Sequence, residues 1–258
     1  MSNQTLNVEQ GHWILAKMGK KVLRPGGKEL TTKLINNLNI ISSDNIVEFA
    51  PGLGYTASLA LQRNPKSYTG IELNEEAASI LRKTVKGENR KIVVANAANS
   101  TLVGNSADKV YGEAMLTMHA DHRKSEIMRE AYRILKKGAL YGIHELGLTP
   151  DNLDQEIKST IQKELAQVIK VNARPLTVSE WTALLEKEGF RVLKVETNPM
   201  SLLEIKRIID DEGIFRTLKI TFNILRHRKE RKRIVAMRDT FRKYQKHLNA
   251  VAIVAEKI

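Results

Sequence analysis

Apolar positions along residues 45–195 switch repeatedly between two spacings, one suited to a strand and one to a helix. Residues 45–50 form a short apolar run rich in Ile, Val and Phe and predict a strand. Residues 55–63 repeat at helical spacing. The same exchange gives a strand at 67–72, a helix at 75–86, and strands at 91–95 and 107–112. A helix at 122–135, a strand at 139–145, a helix at 179–188 and a strand at 191–195 complete the series. Two helical patterns precede it, at about 7–22 and 28–38, parted by the loop Arg24-Pro25-Gly26-Gly27. Regular β-α alternation predicts an α/β fold, a doubly wound and mostly parallel sheet with helices on both faces.

The end of the chain leaves that rhythm. Residues 200–247 read as helical and basic, and residues 248–258 (LNAVAIVAEKI) read as a final strand. A strand that follows a long helical stretch makes the stretch an insertion between the final two strands, and the last strand is expected to be antiparallel. The expected plan is one domain over 1–258, with an N-terminal helical cap (1–40), a Rossmann-like core (41–199 and 248–258) and a helical insertion (200–247). Residues 150–174 form another helical stretch, placed to help cover a site.

Charge sharpens the picture of the insertion. Of the net +13, residues 216–246 supply +10, with twelve Lys/Arg against Glu230 and Asp239. Apolar residues at Leu218, Phe222, Leu225, Ile234, Phe241 and Leu248 fit a stripe expected to be buried. The insertion thus has three readings: a lid, a membrane-surface helix, or a footprint for nucleic acid. No apolar run approaches the ~18 residues of a membrane span, and the polar N-terminus lacks a signal-peptide pattern. A cytoplasmic address is expected, with membrane-peripheral attachment under the second reading.

The absence of cysteine closes several chemistries: disulfides, thiolate zinc, cysteine-held iron–sulfur clusters and cysteine nucleophiles. No His-Glu-x-x-His or carboxylate cluster at ligand spacing suggests a metal.

The sharpest local signal is Val47-Glu48-Phe49-Ala50-Pro51-Gly52-Leu53-Gly54, where the first predicted strand turns into a helix. Glycines there let a ligand approach the backbone. Eighteen residues past Gly54, the second strand ends in Gly70-Ile71-Glu72-Leu73, and a carboxylate at that point can accept hydrogen bonds from both hydroxyls of a ribose. Both NAD and S-adenosylmethionine satisfy this pair of features, and Gly52-x-Gly54-x-x-Ala57 also meets the looser dinucleotide fingerprint.

Glu48, two residues before the small Ala50, resembles the acidic-x-Gly-x-Gly-x-Gly motif of class I, Rossmann-like methyltransferases, with Ala50 replacing the first glycine. Four more stretches are similar to that family in the same order. They are Ala95-Asn96-Ala97, then 107–114 (ADKVYGEA), then 129–138 (REAYRILKKG), then Leu176-Thr177-x-x-Glu180-Trp181 through Gly189-Phe190. The last resembles the quinone-biosynthesis and related type 11 small-molecule methyltransferases. The resemblance covers about residues 40–197 and the final strand, and implies S-adenosylmethionine as cofactor.

By this resemblance Glu48, Ala50, Gly52 and Gly54 shape the methionine pocket, and Glu72 holds the ribose with Leu73 on the adenine. Asn96 and Ala97 meet the adenine edge, and Glu113 and Ala114 face the sulfonium end. Where an acceptor must lose a proton, His119 and His144 (with Glu145 beside it) are the candidate bases at strand ends. His12 and Trp13 on the first helix read first as core or surface packing, with closure over the site as the alternative. The favoured acceptor is a small organic molecule, lipophilic ones included. RNA is the alternative, weakened because Gly112-Glu113-Ala114-Met115 stands where exocyclic-amine enzymes carry Asn/Asp-Pro-Pro-aromatic, and because only 5% of residues are aromatic.

Overall fold

The computed structural model describes residues 10–258. Helices α1 (Gly11–Lys17) and α2 (Gly27–Asn37) lead into the alternating unit β1 (Asn45–Phe49), α3 (Tyr55–Leu61), β2 (Ser67–Glu72), α4 (Glu75–Thr84), β3 (Arg90–Val94) and β4 (Ala107–Glu113). There follow α5 (Asp121–Ile134), β5 (Leu135–Leu148), α6 (Gln155–Ile169), the two-residue β6 (Leu176–Thr177), α7 (Val178–Lys187) and β7 (Phe190–Pro199). The insertion folds as α8 (Ile205–Glu212), α9 (Ile214–Arg226) and α10 (Arg228–Lys243) before the final β8 (Leu248–Lys257).

The strands form one sheet in the order β3-β2-β1-β4-β5-β8-β7, with β6 pairing β5 off that path. All neighbours are parallel except β8, which lies antiparallel between β5 and β7. Strand order reverses direction at β1/β4, and in open α/β sheets the crevice beyond the strand ends at such a switch is where ligands bind.

The pleat sorts side chains onto two cores. On one face Val47, Val110, Ile143, Val251 and Ile253 pack with Ile127, Met128 and Ala131 of α5 and Trp181 of α7. On the other, Ile46, Tyr111, Ala250, Ala252 and Val254 pack with Leu30 and Leu34 of α2, Leu38 just past its end and Ala57 of α3. Both faces being covered explains why β8 reads as an unbroken apolar run, with no polar alternation. Gly142 of β5 lets α2 pack close, because a Cβ there would lie 2.9 Å from Leu34 Cδ1 and that side chain would have to shift.

The insertion departs from the expected burial pattern. Ile234 is buried and Phe241 half-buried, and α10 packs on α1 and α6. Leu218, Phe222 and Leu225, however, face solvent. The cause is that α9 carries two apolar faces, and Thr217, Ile220 and Ile224 occupy the inner one. Part of the basic charge pins the insertion in place. Arg242 makes two 2.7 Å bonds to Glu204, Lys243 reaches Glu164 at 2.7 Å, and Lys17 of α1 reaches Glu230 at 2.6 Å.

Candidate active site

The C-terminal ends of β1, β2 and β4 border a cavity of about 910 Å³, roofed by α1 and the segment after it. Two crossings from strand to loop hold the left-handed conformation at non-glycine residues, Ala50 (φ 49°) and Ala114 (φ 54°). Each is clamped by a neighbouring strand: Ala50 N donates to Ile71 O at 2.8 Å and Ala114 N to His144 O at 2.7 Å. Strained backbone held this way concentrates at functional sites.

Between those crossings Gly52 (φ 59°) presents open space, with nothing within 4 Å of where a Cβ would stand. Gly54 (φ 80°) serves differently. It begins α3 against Leu81, whose Cδ2 a Cβ would meet at 2.9 Å, and it does not line the cavity. Opposite the glycine loop, Glu72 Oε2 accepts from Gly52 N at 3.1 Å and Oε1 from Asn74 N at 3.0 Å. Burial raises its pKa, against the pull of these amides, and each oxygen keeps capacity for a further donor. Leu73, half-exposed, lies on the same rim with Asn96 and Ala97.

Beneath the loop sits a polar layer that never reaches the cavity wall. Glu48 is buried and accepts from Tyr68 Oη at 2.7 Å and Tyr111 Oη at 3.1 Å. Desolvation pushes its pKa up to about 7 although both hydroxyls oppose the shift. His144 is likewise fully buried. Its Nε2 accepts from Gly26 N at 3.0 Å and its Nδ1 lies 2.7 Å from Glu113 Oε1. Neither nitrogen is left to face a substrate in this arrangement.

Glu113 is the hub that joins cap to core. Thr31 Oγ1 of α2 donates to it at 2.8 Å, Arg24 Nε lies 3.3 Å away, and Thr56 of α3 also donates. Burial alone would raise its pKa, but His144, Arg24 and Thr56 outweigh it and hold the group at about 2. Next along the sheet, buried Glu145 accepts from the amides of Met115, Leu116 and Thr117 at 2.9–3.0 Å and from Thr117 Oγ1 at 2.7 Å. It thereby fixes the turn after β4 that carries Met115 and Met118 to the cavity.

Of the anticipated residues, Ala50, Gly52, Glu72, Leu73, Asn96, Ala97, Glu113, Ala114 and His119 line the cavity, while Glu48, Gly54 and His144 support it from behind. His12 and Trp13 line it too. Burial first, then Arg123 and Lys124, lower the His119 pKa, and burial with Arg24 takes His12 to about 4, so both rings are neutral at pH 7. Sequence reasoning missed Lys21, Arg24 and Tyr55. The Tyr55 hydroxyl is buried and unpartnered among the described residues, and Tyr55 lines the same cavity as Gly52. Its place directly after Gly54 was the available signal.

A second, smaller recess of about 100 Å³ adjoins the first and shares His12, Leu23, Ala114, Met118 and Val171 with it. Its depth is apolar, formed by Leu15, Leu146, Ile169, Leu202, Met237 and Phe241.

These features fit a nucleoside-bearing cofactor: an open glycine backbone, an orphan hydroxyl, and a carboxylate with spare acceptor capacity at the end of β2. Residues 47–143 match the model of a methyltransferase domain family. The chain is 33% identical over 253 residues to an uncharacterised protein of Haemophilus influenzae, covering 96% of this chain and 98% of that one. It is 22% identical over 155 residues to the phosphoethanolamine N-methyltransferase of Plasmodium falciparum, covering 59% of this chain and 58% of that one. Among solved structures, the Haemonchus contortus phosphoethanolamine N-methyltransferase 2 in complex with S-adenosyl-L-methionine superposes with a TM-score of 0.74 at 16% identity, over 99% of this chain and 58% of that chain. Glycine loop, strand-two carboxylate, sheet order and family match agree, and the chain belongs to the class I, Rossmann-like S-adenosylmethionine-dependent methyltransferases.

Proposed function

We propose that this enzyme methylates a small acceptor with an apolar body, whose reacting atom lies near Ala114, Met118 and His119. The observation that carries this reading is the apolar recess opening from the cofactor cavity at Ala114 and Met118. A nucleobase placed there would leave its polar edges unpaired, at a cost of roughly 1–3 kcal/mol for each lost hydrogen bond. The phosphoethanolamine enzymes act, by name, on a small phosphorylated amine. The apolar depth here favours a larger hydrocarbon portion.

When bound, S-adenosylmethionine supplies a sulfonium methyl whose leaving group is a neutral thioether. The protein's work is then orientation and dryness. Glu72 would hold the ribose hydroxyls, with Leu73, Asn96 and Ala97 around the adenine. Ala50 and Gly52 would border the methionine portion, with Arg24 as a cationic partner for its carboxylate. Glu113 and the Glu145-bound turn would set the position of Ala114 and Met118. His119, neutral at pH 7, is the base for an acceptor that must lose a proton. His144 is a positioning residue, since its contacts run to Glu113 and Gly26.

The test is transfer of labelled methyl from S-adenosylmethionine into fractionated cell extract. Label is expected in the small-molecule fraction extracted by organic solvent. Label confined to RNA or protein would overturn the proposal. Ala173→Phe, which fills the recess, should abolish that labelling, or raise KM by about 10-fold, a few kcal/mol at most being at stake in a pocket contact. Binding of S-adenosylhomocysteine should stay unchanged.

A further inference from the structure

The outward face of α9 carries Ile214 (65% exposed), Phe215 (90%), Leu218 (63%), Phe222 (60%) and Leu225 (60%). At ~100° per residue these five fall within an arc of about 100° on the helix. The next sector holds Arg216, Lys219, Asn223 and Arg226, and the sector beyond the cations is the buried one, with Thr217, Ile220 and Ile224. The helix thus presents an unpartnered apolar stripe, bordered by cations, on the surface of a protein with net charge +13. Beyond its end, Arg228, Lys229 and Lys232 are exposed and make no ion pair among the described residues. Contiguous apolar surface of this kind on a monomer marks an interaction face.

We infer that α9 is an interfacial helix that seats the enzyme on an anionic phospholipid bilayer. Phe and Leu flanked by Lys and Arg, on a helix lying along the protein surface, suit the boundary of acyl chains and charged headgroups. Charge complementarity separates this occupant from the others. A second copy docking through the same stripe would bring two sets of cations together. A nucleic acid would satisfy the cations and leave Ile214, Leu218 and Leu225 in water. No helix among the described residues is long and apolar enough to cross a membrane, so attachment is to one surface.

The seat is also mechanically tied to the site. Asn223 Nδ2 donates to Met18 O at 2.9 Å, and Ile220 packs with Leu15, Met18 and Met237, of which Leu15 and Met237 also wall the apolar recess. At the junction with α8, Glu212 Oε1 accepts from the amides of Lys21 and Val22 at 2.7 and 2.8 Å, and Asp211 Oδ1 from Lys28 N at 2.8 Å. Lys21, Leu23 and Arg24 between them line the cofactor cavity. A force on α9 is therefore transmitted to the cavity roof. The inference about α9 stands independently of the acceptor proposed above.

The experiment is co-sedimentation of the full chain with phosphatidylcholine vesicles, with and without phosphatidylglycerol. Binding to the anionic vesicles is expected, decreasing with salt. The triple variant Phe215→Ser/Leu218→Ser/Phe222→Ser and the variant Lys219→Gln/Arg226→Gln/Arg228→Gln/Lys229→Gln should each weaken it by ~10-fold or more. S-adenosylhomocysteine affinity and thermal midpoint, unchanged in both, would show that the variants fold. Three results would overturn the inference. One is failure of the wild type to bind either vesicle. Another is a wild-type dimer in lipid-free sedimentation that the apolar variant dissociates. The third is RNA binding lost only in the charge variant, with vesicle binding absent.

Discussion

The two sides of the cavity are built on different principles. The side proposed for the cofactor consists of backbone: Ala50, Gly52 and Ala114 at strand ends, with carboxylates Glu72, Glu113 and Glu145 holding amides and loops in place. The cap side consists mainly of helix faces, where Leu15, Ile169, Met237 and Phe241 come from three separate helices. Strand ends in a doubly covered sheet are fixed by hydrogen bonds on both sides, so atoms there are placed to fractions of an ångström. Helices packed through apolar side chains tolerate substitution and sliding as long as volume is kept. One wall suits an invariant cofactor and the other a changeable acceptor. The difference suggests that, on this scaffold, donor and acceptor recognition can change independently.

Glu113 is where that independence should fail, because it binds Thr31 and Arg24 from the cap and Thr56 and His144 from the core. Removing it in Glu113→Ala strands buried partners, and a loss of about 3–5 kcal/mol is expected in urea unfolding. Both cofactor affinity and turnover should fall with it. An unchanged midpoint would mean that cap and core are joined elsewhere.

Glu72→Ala should confine its damage to the cofactor side. Two charge-assisted bonds to the ribose disappear, so S-adenosylhomocysteine should bind about 2–3 kcal/mol more weakly by calorimetry. Stability should change less than in the Glu113 variant. Equal affinity would remove Glu72 from the ribose site.

The smallest effect should be a pH slope. An unfolded glutamate ionises near ~4.3, whereas folded Glu48 keeps its proton up to about 7. The folded state binds this proton more tightly, so the contribution of Glu48 is full below pH ~4.3 and is lost as pH rises through about 7. Glu113, held at about 2, has the opposite sign, and its contribution is already complete above pH ~4.3. Between pH 5 and 8 the Glu48 slope therefore acts without interference from Glu113. Glu48→Gln should flatten it by ~1–3 kcal/mol in unfolding free energy measured at the two ends. A slope unaltered by the variant would place the titration on another group.

Much of the cofactor half could be read from the chain because its signals are local. The strands β1 to β4 end within a residue or two of the expected positions, whereas β5 and β7 run three and four residues longer. Gly52 and Glu72 reach one cavity because consecutive β-α units bring successive strand ends side by side. The roles of neighbours in sequence still diverged: Gly52 opens to the cavity and Gly54 packs on Leu81. Spacing alone carries no record of what lies 4 Å away.

For the cap, periodicity identified helices and could not say which face turns inward. In α9 the stripe Leu218-Phe222-Leu225 and the stripe Thr217-Ile220-Ile224 both repeat at helical spacing, and the larger and more apolar set is the one left outside. That choice follows from α1, whose Met18 carbonyl captures Asn223 from 205 residues away. His144 is a similar case: a histidine at a strand end reads as a base until Gly26 and Glu113, 118 and 31 residues distant, take its two nitrogens. The sequence by itself determined the alternating sheet, the glycine loop and the carboxylate at the end of β2, because hydrogen-bonded strands and tight turns impose their patterns on adjacent residues. Only the tertiary structure decided which apolar face is buried, which histidine is free and where the recess opens, because those depend on contacts between segments whose separation along the chain leaves no periodic trace.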